Sequence, residues 1–441
     1  MTSSFIRTGS ANTFDAAVRN ITNRQSVLAN LQENLTSGKR VVRASDDPTG
    51  AANAERALTR IGRIVTDQRA LESQRNAISM AEGTLGDVTS ALQRFRELVV
   101  SAGDGVLTSS ERKSIAIELQ ALRDQVFSAA NQKDTNGLPL FSALGSALAP
   151  FVGPKASAPD YTFNGLPGQT SSSDVTIPFA LDGESAFMHQ PARDMVFNTK
   201  VSNTIDGLIS PDRTLTTDSV VLSSTPDITT NMNLVSTTAA AAQASGVPYP
   251  QYTIQFNAMD STTTPGTTTG SYSITENPSV SGAIADVPVS FKTGAITSLA
   301  VTAIPGLSLT INGTPKENDT VSIDASPSVF SVLDNAINNI SNASNNNGAA
   351  QSISQSLHNI DISMSRISAV RGQAGDLLNR ADRISANQES RSIQLEGDRS
   401  RAEDLDMIRT ISEFQNKQTG YSAALQTYAQ VQKLSLFNFI G

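Results

Sequence analysis

Apolar residues repeat at alternating steps of three and four along two long stretches of this chain. Ile78, Ala81, Leu85, Val88, Leu92, Phe95 and Val99 hold that spacing without a miss, and Ile115, Leu119, Leu122, Val126 and Ala129 take it up again. Ile353, Leu357, Ile360, Met364 and Ile367 repeat it near the other end. Such spacing places the apolar side chains on one narrow helix face, the seam of a coiled coil. A seam is buried against another helix. The simplest partner for the first arm is the second, folded back antiparallel.

Helix boundaries are also legible. Gly103 to Ser109 separates two helices, and Ser109 or Ser110 is placed to cap the next one ahead of Glu111 and Arg112. Ser45-Asp46-Asp47-Pro48 marks another start. Pro48 suits the first helical position, where its missing N–H costs nothing. Asp47 then stands at the N-cap, an anion at the positive end of the helix dipole.

The outermost segments carry a weaker stripe. Phe14, Val18, Ile21, Leu28 and Leu35 share a heptad face interrupted by Gln25 and Gln32. Ile411, Phe414, Tyr421, Leu425 and Tyr428 share another, interrupted by Gln418, which runs out into Leu436, Phe437, Phe439 and Ile440. Isolated helices of this kind are marginal in water, and monomers avoid large exposed apolar patches. Both ends are therefore expected to complete their burial in other subunits, with Gln25 and Gln418 setting register as buried polar residues do in coiled coils. A monomeric helical bundle with a tucked-in tail is the alternative.

The middle follows a different rule. Seventeen of the 18 prolines lie between Pro139 and Pro327, and proline breaks helix interiors. Period-two runs occur there: Tyr252, Ile254, Phe256; Val287, Val289, Phe291; Leu307, Leu309, Ile311. They predict antiparallel strands. Asn312-Gly313 predicts a hairpin turn joining Leu307–Ile311 to Val321–Ile323. Ser261 to Gly270 reads as a loop, and Asn345 to Gly348 as a polar link into the second arm. Phe330, Leu333 and Ile337 restart the helical spacing. The fold class is thus mainly α at both ends, a coiled-coil-like bundle of long antiparallel helices, with an inserted β-rich middle. Residues 1–44 and 401–441 are the terminal helices, expected to be poorly ordered in a monomer. Residues 45–138 and 331–400 form a helical bundle, and 139–330 form the β-rich domain, of one or two units.

Composition narrows the chemistry. The chain has 441 residues, a net charge of −8, no cysteine, no tryptophan and two histidines. No basic stripe suggests nucleic-acid binding, and no thiolate metal site or cysteine nucleophile is available. No apolar run approaches the roughly 18 residues of a membrane span, and the N-terminus has no hydrophobic core of a cleavable signal. Asp46 and Asp47 are adjacent at a helix start, where capping explains them better than acid–base chemistry. His189 and His358 lack a second ligand nearby and read as packing or surface residues. Asn20, Asn312 and Asn339 head glycosylation sequons of a kind that arises often by chance. Arg391, Arg399 and Arg401 read as a solvated face. No catalytic, cofactor or metal residue is assigned.

Two motifs carry a resemblance. Leu35-Thr36-Ser37-Gly38-Lys39-Arg40 through Ala44-Ser45-Asp46-Asp47-Pro48-Thr49-Gly50-Ala51 resembles the N-terminal signature of the flagellin superfamily. Its Ser-Asp-Asp-Pro form is similar to the hook-associated type-3 branch, whereas filament flagellins more often place alanine at position 48. Tyr421 to Leu425 and Lys433 to Ile440 resemble the end of that branch, and Asn312 to Val321 a hairpin late in its middle domain. The resemblance covers both arms and fades through most of the middle.

It implies a structural protein of the flagellum and no enzyme. A chain of this family leaves the cell through the flagellar type III channel and joins hook-side proteins to the filament. Its terminal helices line the tube core and its middle domain faces outward. The implied partners are further copies of itself in a ring or helical lattice, the hook-associated type-1 protein, flagellin, and a cytosolic export chaperone on the C-terminal helix. Nucleic acid, membrane insertion and cofactors are not implied. A minor filament flagellin is the alternative within the class. An adhesin or enzyme carried on coiled-coil arms, with a functional site in 139–330, is the alternative from another class.

Overall fold

The computed structural model describes residues 10–440 apart from 106, 157–159, 195, 206–207, 210–214, 238–250, 278–283 and 343–345; side chains at 10–13, 191–192, 203–205, 208–209, 232–237, 285, 346–349, 352 and 431–440 also lie outside the description. In chain order, α1 is Ser10–Ser37, α2 Pro48–Ala102 and α3 Ser109–Ala130. Short pieces follow: β1 Phe151–Val152, β2 Thr162–Phe163, α4 Gly183–Phe187 and α5 Pro191–Asp194. The β-rich part holds β3 Phe197–Ile205, β4 Leu208–Ile209, β5 Thr216–Thr217, β6 Val221–Leu222, α6 Thr225–Thr237, β7 Gln251–Asp260, β8 Thr267–Asn277, β9 Ile284–Lys292, β10 Thr297–Val301, β11 Leu307–Gly313 and β12 Asp319–Ala325. The chain ends in α7 Val329–Ser341, α8 Asn346–Glu403 and α9 Met407–Ile440. It divides into two compact units, Met1–Ala70 with Arg383–Gly441, and Leu71–Asp382.

Within the unit Leu71–Asp382, the first arm's seam is a core. Ile78, Ala81, Leu85, Leu92, Phe95 and Val99 are fully buried and Val88 nearly so, because the three-four spacing leaves none of them on the wet side of α2. Ile360 and Ile367 of α8 are fully buried as well. The two helices run antiparallel, fixed by ion pairs at Arg75–Asp382 (3.2 Å), Arg371–Glu82 (2.7 Å) and Arg96–Asp361 (2.8 Å). Gly103 lets α2 end against α8, since a Cβ there would stand 3.2 Å from Ile353. The cap of α3 falls one residue earlier than the sequence suggested. Thr108, not Ser109 or Ser110, accepts from the Glu111 N–H, while the Glu111 carboxylate accepts from the Thr108 N–H at 2.7 Å. That reciprocal pair satisfies two otherwise free donors.

Around the far end of α3, Phe127, Tyr161, Phe151, Phe187 and Phe330 form an aromatic cluster with ring centroids 5.1–5.8 Å apart. It holds α3, α4, α7 and the β1–β2 ribbon together. His189 is buried beside this region, its ring nitrogens 3.3 Å from the Ser326 carbonyl and 3.3 Å from Ser363 Oγ.

The strands form one six-stranded antiparallel sheet, β4-β3-β12-β7-β8-β9, and a smaller sheet in which β11 pairs with β10, β5 and β6. Both contribute to one core containing Ile254, Phe256, Ile274, Leu309, Ile311, Val321 and Ile323. The predicted alternation holds: Tyr252, Ile254 and Phe256 are buried and their neighbours less so. Two local expectations fail. Asn312-Gly313 is not a hairpin turn. It ends β11, paired to Ser298 and Thr297 of β10, and the following residues carry the chain into the other sheet. Packing of both sheets on a common core overrides the turn propensity of the dipeptide. Ser261 to Gly270 is only partly a loop, because Thr267 to Gly270 belong to β8, where Thr268 and Gly270 pair with Phe291 and Val289. Of the expected link at 345–348, residue 345 lies outside the described residues and Asn346 already opens α8.

A polar seam joins the β-rich part to α8. Gln351 Nε2 donates to Thr217 Oγ1 (2.6 Å), Thr199 Oγ1 donates to Gln355 Oε1 (2.9 Å), and Gln355 and Asn359 both donate to the Phe197 carbonyl (3.0 and 2.8 Å). These positions recur every four residues, so a single face of α8 presents them to the strands.

Candidate assembly surface at the paired ends

In the unit Met1–Ala70 with Arg383–Gly441, the two ends of the chain meet. Lys39 forms an antiparallel bridge with Asp404 and the rings of Phe14 and Tyr428 lie 5.5 Å apart. Arg24 lies against Gly420, where a Cβ would stand 3.0 Å from its guanidinium. Helices α1 and α9 are therefore antiparallel.

The signature segment builds a clamp at the inner end of this pair. Gly38, at φ +70, closes α1 by donating to the Asn34 carbonyl at 2.9 Å, and its own carbonyl accepts from the Leu405 N–H at 3.0 Å. Glycine takes this left-handed conformation without a Cβ penalty. The Arg40 N–H donates to the Glu403 carbonyl at 2.8 Å, and Lys39 forms an ion pair with the Glu403 carboxylate. The Arg40 guanidinium reaches both Asp47 Oδ2 (3.1 Å) and the Ala402 carbonyl (2.7 Å).

Both acidic residues of the motif are occupied structurally. Asp46 accepts from the Arg43 N–H at 3.0 Å, closing the turn. Asp47 caps α2: its Oδ1 accepts from the Gly50 N–H (2.9 Å) and the Thr49 hydroxyl (2.8 Å). The Gly50 N–H first, then Thr49 and Arg40, hold its carboxyl down at about 2. A Cβ at Gly50 would come within 2.5 Å of Asp47 Oδ2 and 3.2 Å of the Ala402 carbonyl. Pro48 opens α2 as its first residue. Ser37 Oγ accepts from the Lys39 N–H at 3.3 Å, and Ser45 Oγ lies 3.4 Å from Asp46. The motif thus ties two connections, α1 to α2 and α8 to α9, into one joint.

Beyond the clamp, the stripes are only half covered. Phe14 is 48% exposed, Val18 41%, Ile411 44% and Leu425 40%. Ile21, Leu28, Leu35, Phe414, Tyr421 and Tyr428 are half-buried, and Gln25 and Gln418 are exposed. The side chains of Leu436 and Phe437 lie outside the described residues. Sequence reading missed further exposed apolar residues here: Val27, Leu58, Val65, Ile393, Met407 and Ile408. Met407 stands four residues before Ile411 and extends that stripe by one step, whereas the others lie off it, where periodicity gives no signal. It also missed that Arg40 and Glu403 pair the signature loop with the end of α8, since a contact across more than 360 residues leaves no local trace.

Residues 11–145 match the bacterial flagellin N-terminal helical region. That helical stretch is flagellin-like. Flagellar hook-associated protein 3 of Salmonella typhimurium is 33% identical over 147 residues, 31% of this chain and 44% of the relative. The flagellar filament 41 kDa core protein of Borreliella burgdorferi is 34% identical over 115 residues, 26% of this chain and 34% of that protein. The chain thus spans less than half the length of these curated relatives. The crystal structure of flagellar hook associated protein-3 from Legionella pneumophila aligns with a TM-score of 0.55 at 24% identity, covering 78% of this chain and 97% of the other. That likeness shows a shared fold of helical ends around a β-rich middle.

Proposed function

We propose that this chain is a structural adaptor at the junction between the flagellar hook and filament. The observation that carries this reading is the α1–α9 pair, clamped at one end by the signature loop and lined with apolar residues left 40–48% exposed. Neighbouring copies complete that seam when a subunit joins a tube. The contact is head-to-tail, so it propagates as a ring or helical lattice. On the hook side the chain meets the hook-associated type-1 protein and on the other flagellin, with the segment 139–330 facing outward. The chain crosses the envelope through the flagellar export channel, and a cytosolic chaperone covers its last helix beforehand. It works by packing, and no residue is assigned to catalysis.

Deleting the gene is expected to leave hooks intact and to release unpolymerised flagellin into the medium, while immunogold labelling finds the protein at the hook tip. The similarity to a filament core protein favours a second reading, a minor filament flagellin. Filaments of normal length in the deletion strain, with label along the filament, would establish that reading and refute the first.

A further inference from the structure

The unit Leu71–Asp382 carries a separate apolar surface. A cavity of about 370 Å³ opens in the segment that follows α3, lined by Leu138, Leu144, Leu148 and Phe179 together with Asp134. All four apolar residues are exposed, between 45% and 64%. The backbone holds them there. Ala143 sits at φ +56, a strained conformation for a residue with a Cβ. Its N–H donates to the Leu181 carbonyl at 3.2 Å, and the Leu144 N–H to the Leu166 carbonyl at 3.0 Å. Braced apolar groups facing water mark a contact surface.

The groove asks for an apolar knob with a cation beside it. Asp134 accepts from the N–H groups of Asn136 and Leu138 at 2.8 Å each, and among the described residues it has no cationic partner. The same unit offers such a knob. Ile117 is 71% exposed on the outer face of α3, one turn from the exposed Lys113, which forms no ion pair among the described residues. Thirteen helical residues separate Ile117 from the end of α3 at Ala130, about 20 Å of helix, so a molecule cannot fill its own groove.

We infer that a second copy of this chain inserts Ile117 into the groove of Leu138, Leu144, Leu148 and Phe179, with Lys113 facing Asp134. The contact rests on the assembly reading above. It is heterologous, knob to groove, and so extends from copy to copy.

The cysteine-free chain permits a direct test. The full-length double variant Ile117→Cys with Leu144→Cys is expressed in place of the native chain, hooks are isolated, and the thiols are oxidised. A ladder of covalent dimers and higher species is expected, absent from each single variant and reduced several-fold by adding Lys113→Glu. Leu144→Cys paired with Val221→Cys, 58% exposed elsewhere on the unit, serves as the control. An equal ladder from the control pair overturns the inference. So does no ladder from the double variant while the protein is present in the hooks, which leaves the junction reading intact. Absence of the chain from the hooks overturns both.

Discussion

Two leucine truncations should separate folding from assembly. Leu85 lies at 0% exposure on α2, and Leu425 at 40% on α9. Cutting a fully buried leucine to alanine costs about 3 kcal/mol, within a range of roughly 2–5. Leu85→Ala should therefore lower the urea midpoint clearly. Complete burial of a leucine is worth roughly 1.5–3 kcal/mol, so the 40% still open on Leu425 leaves about 1 kcal/mol to be gained when a neighbour covers it. The share of Leu425 already covered in the monomer is the larger one, so Leu425→Ala should lower monomer stability by about 1–2 kcal/mol on the same scale, less than Leu85→Ala. Losing the still-open share should weaken each subunit contact by about 1 kcal/mol, about fivefold in the association constant. Urea titration followed by circular dichroism reads the first effect, and the concentration at which sedimenting polymer forms reads the second. Equal losses of urea midpoint in the two variants would refute the reasoning, as would an unchanged polymerisation threshold for Leu425→Ala.

Three further outcomes follow. Burial is the main reason His189 is held neutral, its pKa pushed down to about 4. The unfolded chain binds that proton first, so stability should fall as pH drops from about 6.5 toward 4; melting curves of His189→Gln across that window should be flatter than those of the native chain. Arg40→Ala removes both the Asp47 contact and the Ala402 contact, and should speed amide exchange at Arg40 and Leu405 while leaving Ile78 to Val99 protected. Gln355→Leu removes one of the two partners of the Thr199 hydroxyl, leaving the Thr217 hydroxyl at 2.8 Å, and one donor from the Phe197 carbonyl; two buried hydrogen bonds lost should cost about 1–3 kcal/mol in urea unfolding.

The sequence alone determined what depends on neighbours a few residues away. The three-four spacing from Ile78 to Val99 named the buried face of α2, because helix geometry converts spacing into a face. Asp47 and Pro48 announced a helix start, because capping is chemistry within three residues. The signature around Asp47 and Pro48 pointed to a flagellin-like chain, a likeness that the match over residues 11–145 bears out.

Tertiary structure decided the rest. The hairpin expected at Asn312-Gly313 failed because two sheets share one core, and a dipeptide carries no information about which strand its neighbour will pair with. The clamp of Arg40 on Ala402 and Asp47, and of Lys39 on Glu403, joins residues that only a folded chain brings together. The polar seam from Thr199 and Thr217 to Gln351, Gln355 and Asn359 left no sign in the sequence, since a buried and satisfied glutamine has the same letter as a solvated one. Which apolar residues remain uncovered in the free chain, Leu425 and not Leu85, was settled by how many helices pack around each: α2 meets both α3 and α8 in its unit, whereas the outer stripes meet little beyond each other.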